Sequence, residues 1–118
     1  MTDVGSYSNL AEGVPTITKV SGREIVIIRW RGRVHAVRDV CPHQSHSFVN
    51  GRVQSRIVSS GVPGHVDVRS NQPVLICPWH AWTFALDDGR CTHDPRQRIR
   101  RYEVVIENDR VLVESAVS

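Results

Sequence analysis

Two short motifs in the chain combine cysteine with histidine at close spacing. The first reads C-P-H from Cys41 to His43, and the second reads C-P-W-H from Cys77 to His80. Each motif follows a β-rich run and supplies one thiolate and one imidazole, which are both common metal ligands. Two such loops facing each other would form a site with two sulfur and two nitrogen donors.

Two kinds of metal centre use this donor set. Zinc accepts two cysteines and two histidines in a tetrahedron. A Rieske-type 2Fe–2S cluster takes two cysteines on one iron and two histidines on the other. Zinc motifs usually pair cysteine with cysteine and histidine with histidine. Here each loop is mixed, so that each can reach both irons, and this favours the cluster while zinc stays the alternative.

Composition restricts the remaining function classes. The chain has 118 residues, the size of one small domain, which cannot hold a nucleotide-binding domain together with a catalytic domain. Its net charge is +3, and it has no long basic run with interleaved aromatics, so nucleic-acid binding is not expected. No apolar run approaches the ~20 residues of a membrane span. The N-terminus does not have the pattern of a secretory leader, so we expect a cytoplasmic protein. The number of cysteines is odd, so we expect no disulfide framework.

The elements that must position the motifs are short strands. Turns rich in Gly, Asn and Asp separate β-rich runs, and no amphipathic helix of useful length is found, so the sequence predicts an all-β sandwich or small barrel. We expect the first residues, to about Gly13, to be loosely attached. The predicted strands are Val14–Val20, Arg23–Trp30, Val34–Val37, Val74–Ile76, Trp82–Leu86, Arg101–Ile106 and Arg110–Val113.

Three further features invite an interpretation. Gln54–Gln72 looks like a long loop or a protruding hairpin, and a segment this long in a small domain is usually functional or mobile. Arg96, Arg98 and Arg100 alternate, which predicts one face of an edge strand, either solvated or used to dock an acidic partner. Cys91 is interpreted as a small, partly buried residue.

The motifs and their surroundings resemble Rieske-type ferredoxins. The resemblance rests on the two Cys–His motifs, on Trp82, Phe84 and Asp88-Gly89 after them, and on the closing hairpin around Asn108. It covers roughly residues 14–113. It implies a single Rieske 2Fe–2S domain over residues 1–118, an antiparallel β-sandwich or barrel whose two loops form a small cluster-binding subdomain at about residues 40–95. The 33 residues between the motifs are about twice the family's usual number, because of an insertion at about residues 54–72.

The resemblance also assigns the ligands of one 2Fe–2S cluster per chain. Cys41 and Cys77 would bind the buried iron, and His43 and His80 the outer iron. Pro95 would belong to a third loop that covers the cluster. Further residues are expected to lie beside the cluster or to contact a partner: Ser45, His46, Trp79, Ala81, Trp82, Phe84 and Pro95.

The function implied is one-electron transport rather than catalysis. A flavin-dependent reductase would be the donor, and a Rieske oxygenase or similar oxidoreductase the acceptor. Alternatives are a Rieske small subunit of a larger reductase or oxygenase complex and, from the residues alone, a zinc-stabilised interaction module.

The positions that form a disulfide in cytochrome bc Rieske subunits hold His46 and Trp79. The positions of their hydroxyl groups hold Trp82 and Phe84. Fewer hydrogen bonds to sulfur predict a potential in the lower half of the Rieske range, which runs from roughly −150 to +300 mV.

Overall fold

The computed structural model describes most of the chain and shows an antiparallel all-β protein. The described residues are 1–40, 47–48, 51–59, 61–78, 82–92, 94 and 96–114. Their strands are β1 (Thr2–Ser6), β2 (Thr16–Val20), β3 (Arg23–Trp30), β4 (Arg33–Arg38), β5 (Arg52–Ser59), β6 (Val66–Ile76), β7 (Thr83–Ala85), β8 (Arg101–Tyr102), β9 (Val104–Glu107) and β10 (Arg110–Val113). The all-β fold class expected from the sequence is confirmed.

The strands form three sheets around two cores. Their orders are β1-β10-β9, β2-β3-β4-β8 and β5-β6-β7, and every pair is antiparallel. The four-stranded sheet lies between the other two. On β3, Ile25 and Ile27 pack with Val111 in one core, while Val26 and Ile28 pack with Phe84 in the other. This is why the apolar run of β3 is continuous instead of alternating with polar residues.

The N-terminal stretch is integrated into the fold, so the expectation of a loose N-terminus is wrong. β1 pairs with β10, and a short 3-10 helix follows at Tyr7–Asn9. The Tyr7 N–H donates to the Asp109 carbonyl at 2.8 Å. The Arg110 guanidinium donates to both carboxylate oxygens of Asp3 at 2.9 Å. Backbone pairing with a distant strand left no local signal in the polar N-terminal sequence.

Two predicted strands near the C-terminus differ from the structure. The run Arg101–Ile106 divides at Glu103 into β8 and β9, which belong to different sheets. The Glu103 N–H donates to the Glu114 carboxylate at 2.8 Å and turns the chain there. Arg96, Arg98 and Arg100 do not share a strand either. Arg98 forms an isolated β-bridge with Arg90. All three arginines are exposed.

The insertion at about residues 54–72 is the hairpin alternative of the two expected. β5 and β6 pair from Arg52↔Ile76 to Ser59↔Val66, and the register shifts after Ser55. The shift divides the hairpin into an inner part beside β7 and an outer part. Val62 and Val68 lie in the outer part and are more than half exposed. We call the outer part, residues 56–72, the arm.

Candidate metal centre

Asp39 joins the described residues on either side of the segment that carries the first motif. Asp39 directly follows β4 and is 4% exposed. Its Oδ1 accepts the Phe48 N–H at 2.7 Å, and its Oδ2 accepts the Ser47 hydroxyl at 2.6 Å. The Asp39 N–H donates to the Glu24 carbonyl at 3.1 Å, which fixes the residue to the neighbouring strand β3. One buried side chain therefore closes the segment that carries Cys41 and His43.

The second motif lies in a loop closed by its own backbone. Cys77 follows the last residue of β6 and is 1% exposed. The Cys77 N–H donates to the Trp82 carbonyl at 2.8 Å, immediately before β7 begins. The intervening segment, which carries His80, therefore spans a hairpin connection between two paired strands. Trp82 packs its partly buried ring against the core.

Gly51 brings the bases of the two loops together. Its N–H donates to the Phe48 carbonyl at 2.7 Å. A Cβ on this glycine would stand 2.6 Å from the Ile76 oxygen and 2.7 Å from the Phe48 oxygen. Arg52, the next residue, pairs with Ile76. The end of the first loop and the beginning of the second are thus in backbone contact, at one end of the β5-β6-β7 sheet.

A third loop lies beside the same sheet. Cys91 forms an isolated antiparallel β-bridge with Phe84. The Cys91 N–H donates to the Gln97 carbonyl at 2.9 Å, which closes the segment that contains Pro95. At the start of this loop, Thr92 donates its N–H to the Thr83 carbonyl at 2.9 Å, and the two threonine hydroxyls are hydrogen-bonded. Within the loop, the Arg96 guanidinium bonds Asp94 and lowers the pKa of that carboxyl.

The side chains beneath the loops are apolar. Phe48 and Phe84 are fully buried and meet edge to face, with ring centroids 5.8 Å apart. Cys77 and Cys91 belong to the same core cluster. Cys91 is 2% exposed, more buried than the sequence suggested. Cys77 is therefore surrounded by apolar side chains and shielded from water, which suits a ligand of the buried iron.

Three of the sequence-predicted site residues fall in the part of the chain that the structure describes. Cys77 lies at the base of its loop, Trp82 closes that loop, and Phe84 is a core residue without exposed surface. The others lie outside the described residues, and their placement stays a prediction: Cys41, His43, Ser45, His46, Trp79, His80, Ala81 and Pro95. Within the described ranges, no group of three or more His, Cys, Asp or Glu side chains could hold a metal ion.

Sequence reasoning missed Asp39, Phe48 and Gly51. Each acts through a buried backbone contact to a residue 9 or more positions away, or to a neighbouring loop. The available signal was weak: one acidic residue two positions before the first cysteine, and a lone glycine. His35 was interpreted as structural, and it is buried on β4 at 5% exposure.

The donor chemistry fits a Rieske cluster. The motifs supply two thiols and two imidazoles, as such a cluster requires. The described parts of both loops are closed at their bases and touch each other at Gly51. Cys77 is buried, which suits a ligand of the inner iron. No helix in the described residues is long and apolar enough to cross a membrane.

Comparison with known proteins places the chain in a family. The profile of the "Rieske [2Fe-2S] domain" matches residues 1–103. The ferredoxin component of the alkene monooxygenase system of Xanthobacter autotrophicus (strain ATCC BAA-1158 / Py2) is 27% identical, over 94% of this chain and 78% of that protein. The carnitine monooxygenase oxygenase subunit of Acinetobacter baumannii is 37% identical, over 71% of this chain but only 19% of the subunit.

A solved structure shows the same fold. It is described as the putative NADH-dependent nitrite reductase small subunit of Mycobacterium tuberculosis. It superposes with a TM-score of 0.80 at 26% identity, over 98% of this chain and 96% of that one. The match to the family profile favours the cluster over zinc. The chain belongs to the Rieske [2Fe-2S] domain family, and its cofactor is a Rieske-type 2Fe–2S cluster.

Proposed function

We propose that the chain is a Rieske-type ferredoxin, which carries single electrons from a flavin-dependent reductase to a Rieske oxygenase or a similar oxidoreductase. In this proposal residues 1–118 form one domain, and its cluster-binding subdomain is built from residues of about 40–95. Cys41 and Cys77 hold the inner iron, and His43 and His80 hold the outer iron. The chain carries the electron without transforming a substrate itself.

One observation in the structure carries the proposal. The bases of the two Cys–His loops meet at Gly51, where the Phe48 and Ile76 carbonyls both lie against the glycine backbone. The described bases of two segments whose motifs are separated by 33 residues are thereby held side by side. A four-ligand centre shared between two loops requires such an arrangement.

The residues of the chain set the conditions for electron transfer. When bound, the cluster would supply reversible one-electron reduction and oxidation. The packing of Phe48 and Phe84 beneath Cys77 excludes water from the inner side. Phe84 has no hydroxyl to donate toward sulfur, so the reduced, more negative state receives less stabilisation. We therefore expect a potential in the lower half of the Rieske range.

The named relatives support the direction of transfer. The alkene monooxygenase relative is a ferredoxin component, and alignment with it covers most of both chains. The carnitine monooxygenase relative is an oxygenase subunit of which this chain spans about a fifth. The odd number of cysteines, three, suits a reducing compartment such as the cytoplasm.

The test is a spectroelectrochemical titration of the purified holoprotein, followed by a transfer assay. We expect a single one-electron wave with a midpoint below roughly +75 mV, the middle of the Rieske range. Catalytic amounts of the chain should then accelerate the reduction of cytochrome c by NADH and a flavin-dependent ferredoxin reductase. A protein without a reversible wave, or one that never accelerates the assay, would contradict the carrier function.

A second candidate is a small subunit of a larger reductase. The likeness to the nitrite reductase small subunit, at a TM-score of 0.80 and 26% identity, favours it. Isolation from the native host separates the two. A carrier elutes at the size of the free chain, whereas a subunit elutes with a large partner in fixed stoichiometry.

A further inference from the structure

Five arginines line two adjacent hollows on one face of the molecule. Arg98, Arg100 and Arg101 line a hollow of about 350 Å³ with Ile99 and Asp88. Arg56 and Arg90 line a second hollow of about 170 Å³, which Asp88 also borders. We call these five residues, Arg56, Arg90, Arg98, Arg100 and Arg101, the arginine band. Asp88 is the one acidic residue among those lining the two described hollows.

The band contains a pair of like charges that face each other. Arg90 and Arg98 are directly opposite each other in an antiparallel bridge, and both are exposed. Like charges in this arrangement destabilise a β structure. Arg96 forms an ion pair with Asp94 and does not belong to the band. An unfavourable surface pair suggests a role outside folding.

The band begins close to the candidate metal centre. The Ala85 N–H donates to the Arg90 carbonyl, and Ala85 pairs with Val74, three residues before Cys77. Cys77 lies three residues along the chain from Val74, and Arg90 lies two interstrand spacings away from Val74, across Ala85. At the usual rise per residue and strand spacing, Arg90 is therefore about 14 Å from Cys77. A standard protein interface buries about 800 Å² on each partner, a disc with a radius of about 16 Å. An interface centred on the metal centre would therefore include part of the band.

The type of side chain indicates the type of partner. Lys19 is the one lysine among the 15 basic residues of the chain, and all the others are arginines. Arginine binds carboxylates through two parallel hydrogen bonds. Single-stranded nucleic acid would require aromatic stacking surfaces, and the described residues lining the two hollows include no aromatic side chain. Complementary charge also accelerates encounter, which a mobile carrier needs.

We propose that the arginine band docks an acidic surface of a redox partner protein, beside the cluster. The proposal rests on the proposed carrier function and adds the chemistry of the surface that the carrier recognises. Arg56 lies on the arm, so the partner would contact both the arm and the body of the domain. The acidic groups of the partner would take the place of the counter-charges that Arg90 and Arg98 do not offer each other.

The experiment measures electron transfer from the prereduced holoprotein to cytochrome b5, an acidic acceptor, by stopped flow at several ionic strengths. The variant Arg98→Glu should lower the rate about threefold at low salt, and the double variant Arg90→Glu/Arg98→Glu about tenfold. The wild-type rate should fall as salt is added, and the difference from the variants should disappear at high salt. Because the introduced carboxylate would face Arg90, the melting temperature of the single variant should not decrease.

The matched control is Lys19→Glu, which has the same charge change. Lys19 is exposed on β2, at the opposite edge of the four-stranded sheet from β8. We expect its rate to stay within a factor of two of wild type. Equal slowing by Lys19→Glu would reduce the effect to net charge and overturn the proposal. An unchanged rate in Arg98→Glu would also overturn the proposal. So would band variants that lose only the binding of a DNA duplex.

Failure of the carrier function itself is distinguishable. If the wild-type protein transfers electrons rapidly to cytochrome b5 and the band variants are equally fast, the carrier function stands and the docking proposal falls. A wild-type protein that holds no reducible cluster transfers to neither cytochrome b5 nor the basic acceptor cytochrome c, and then both proposals fall.

Discussion

The Asp39 carboxylate accepts the Phe48 N–H at 2.7 Å and so joins the two ends of the loop that carries the first Cys–His motif. The second carboxylate oxygen accepts the Ser47 hydroxyl at 2.6 Å, and the side chain is 4% exposed. Buried donors that lose their acceptor keep the full cost of desolvation. Asp39 therefore determines whether the first loop is held in place before the cluster binds.

The first prediction compares two substitutions of Asp39. Asp39→Ala removes the acceptor of the buried Phe48 N–H and the bond to the Ser47 hydroxyl, and we expect the free energy of unfolding to fall by about 1–3 kcal/mol. Iron and sulfide per chain should fall with it. Asp39→Asn keeps an acceptor for the Phe48 N–H, and its amide can donate to the Ser47 hydroxyl. We expect it to retain most of the cluster. Chemical denaturation and iron analysis check both, and equal cluster loss in the two variants would contradict the positioning role.

The second prediction concerns the contact between the loops. In Gly51→Ala the new Cβ meets two backbone oxygens, at 2.6 and 2.7 Å, and neither can rotate away. We expect a loss of about 1–3 kcal/mol in unfolding free energy and a lower cluster content. Gly32→Ala is the control, because a Cβ there has open space and only its φ of +80° opposes the substitution. The control should cost about 1 kcal/mol and keep its full iron content.

The third prediction follows from the buried imidazole of His35. Burial lowers its pKa below the ordinary value of 6.5, and the positive charge of Arg33 lowers it further. Below about pH 6.5 the unfolded chain binds a proton that the folded chain refuses, so stability is complete above this pH and is lost as the pH falls toward the folded pKa. His35→Gln should remove this part of the pH dependence. Urea unfolding at several pH values measures it, and parallel profiles for the two proteins would refute the assignment.

The fourth prediction concerns the arm. Its register shift after Ser55 separates the arm from the inner rungs that support Cys77. Replacing residues 56–72 by an Asn-Gly turn should therefore leave the cluster spectrum intact. Transfer to the cognate acceptor should become slower, because the arm is expected to influence the choice of partner. Unchanged transfer would exclude the arm from recognition, and a lost spectrum would show that it is part of the cluster support.

How much of this could be predicted from the sequence depended on whether a signal was local. The continuous apolar run of β3 and the turn at Arg31 made the first hairpin predictable. The donor set of the two motifs made the cluster predictable. The docking of β1 on β10 was missed, because residues at opposite ends of the chain, such as Thr2 and Val113, pair through the backbone. The role of Asp39 was missed for the same reason, since a lone acidic residue reveals neither its burial nor its two donors.

The division of Arg101–Ile106 illustrates a second limit. Its residues have the composition of one strand, and intrinsic preference does not show which sheet each half will join. The Glu103 N–H bonds the Glu114 side chain, and the strand changes sheets at that point. Tertiary contacts of this kind overrule local propensity.

The measurement that tests the central claim most directly is the electron paramagnetic resonance spectrum of the dithionite-reduced protein, purified without oxygen. A 2Fe–2S cluster with histidines on one iron should give a rhombic signal with the low average g value of that ligation. Cys77→Ser and His80→Cys should each abolish or change it, while Cys91→Ser should leave it unaltered. A silent protein that contains zinc instead of iron would contradict the claim, and with it the proposed electron carrier.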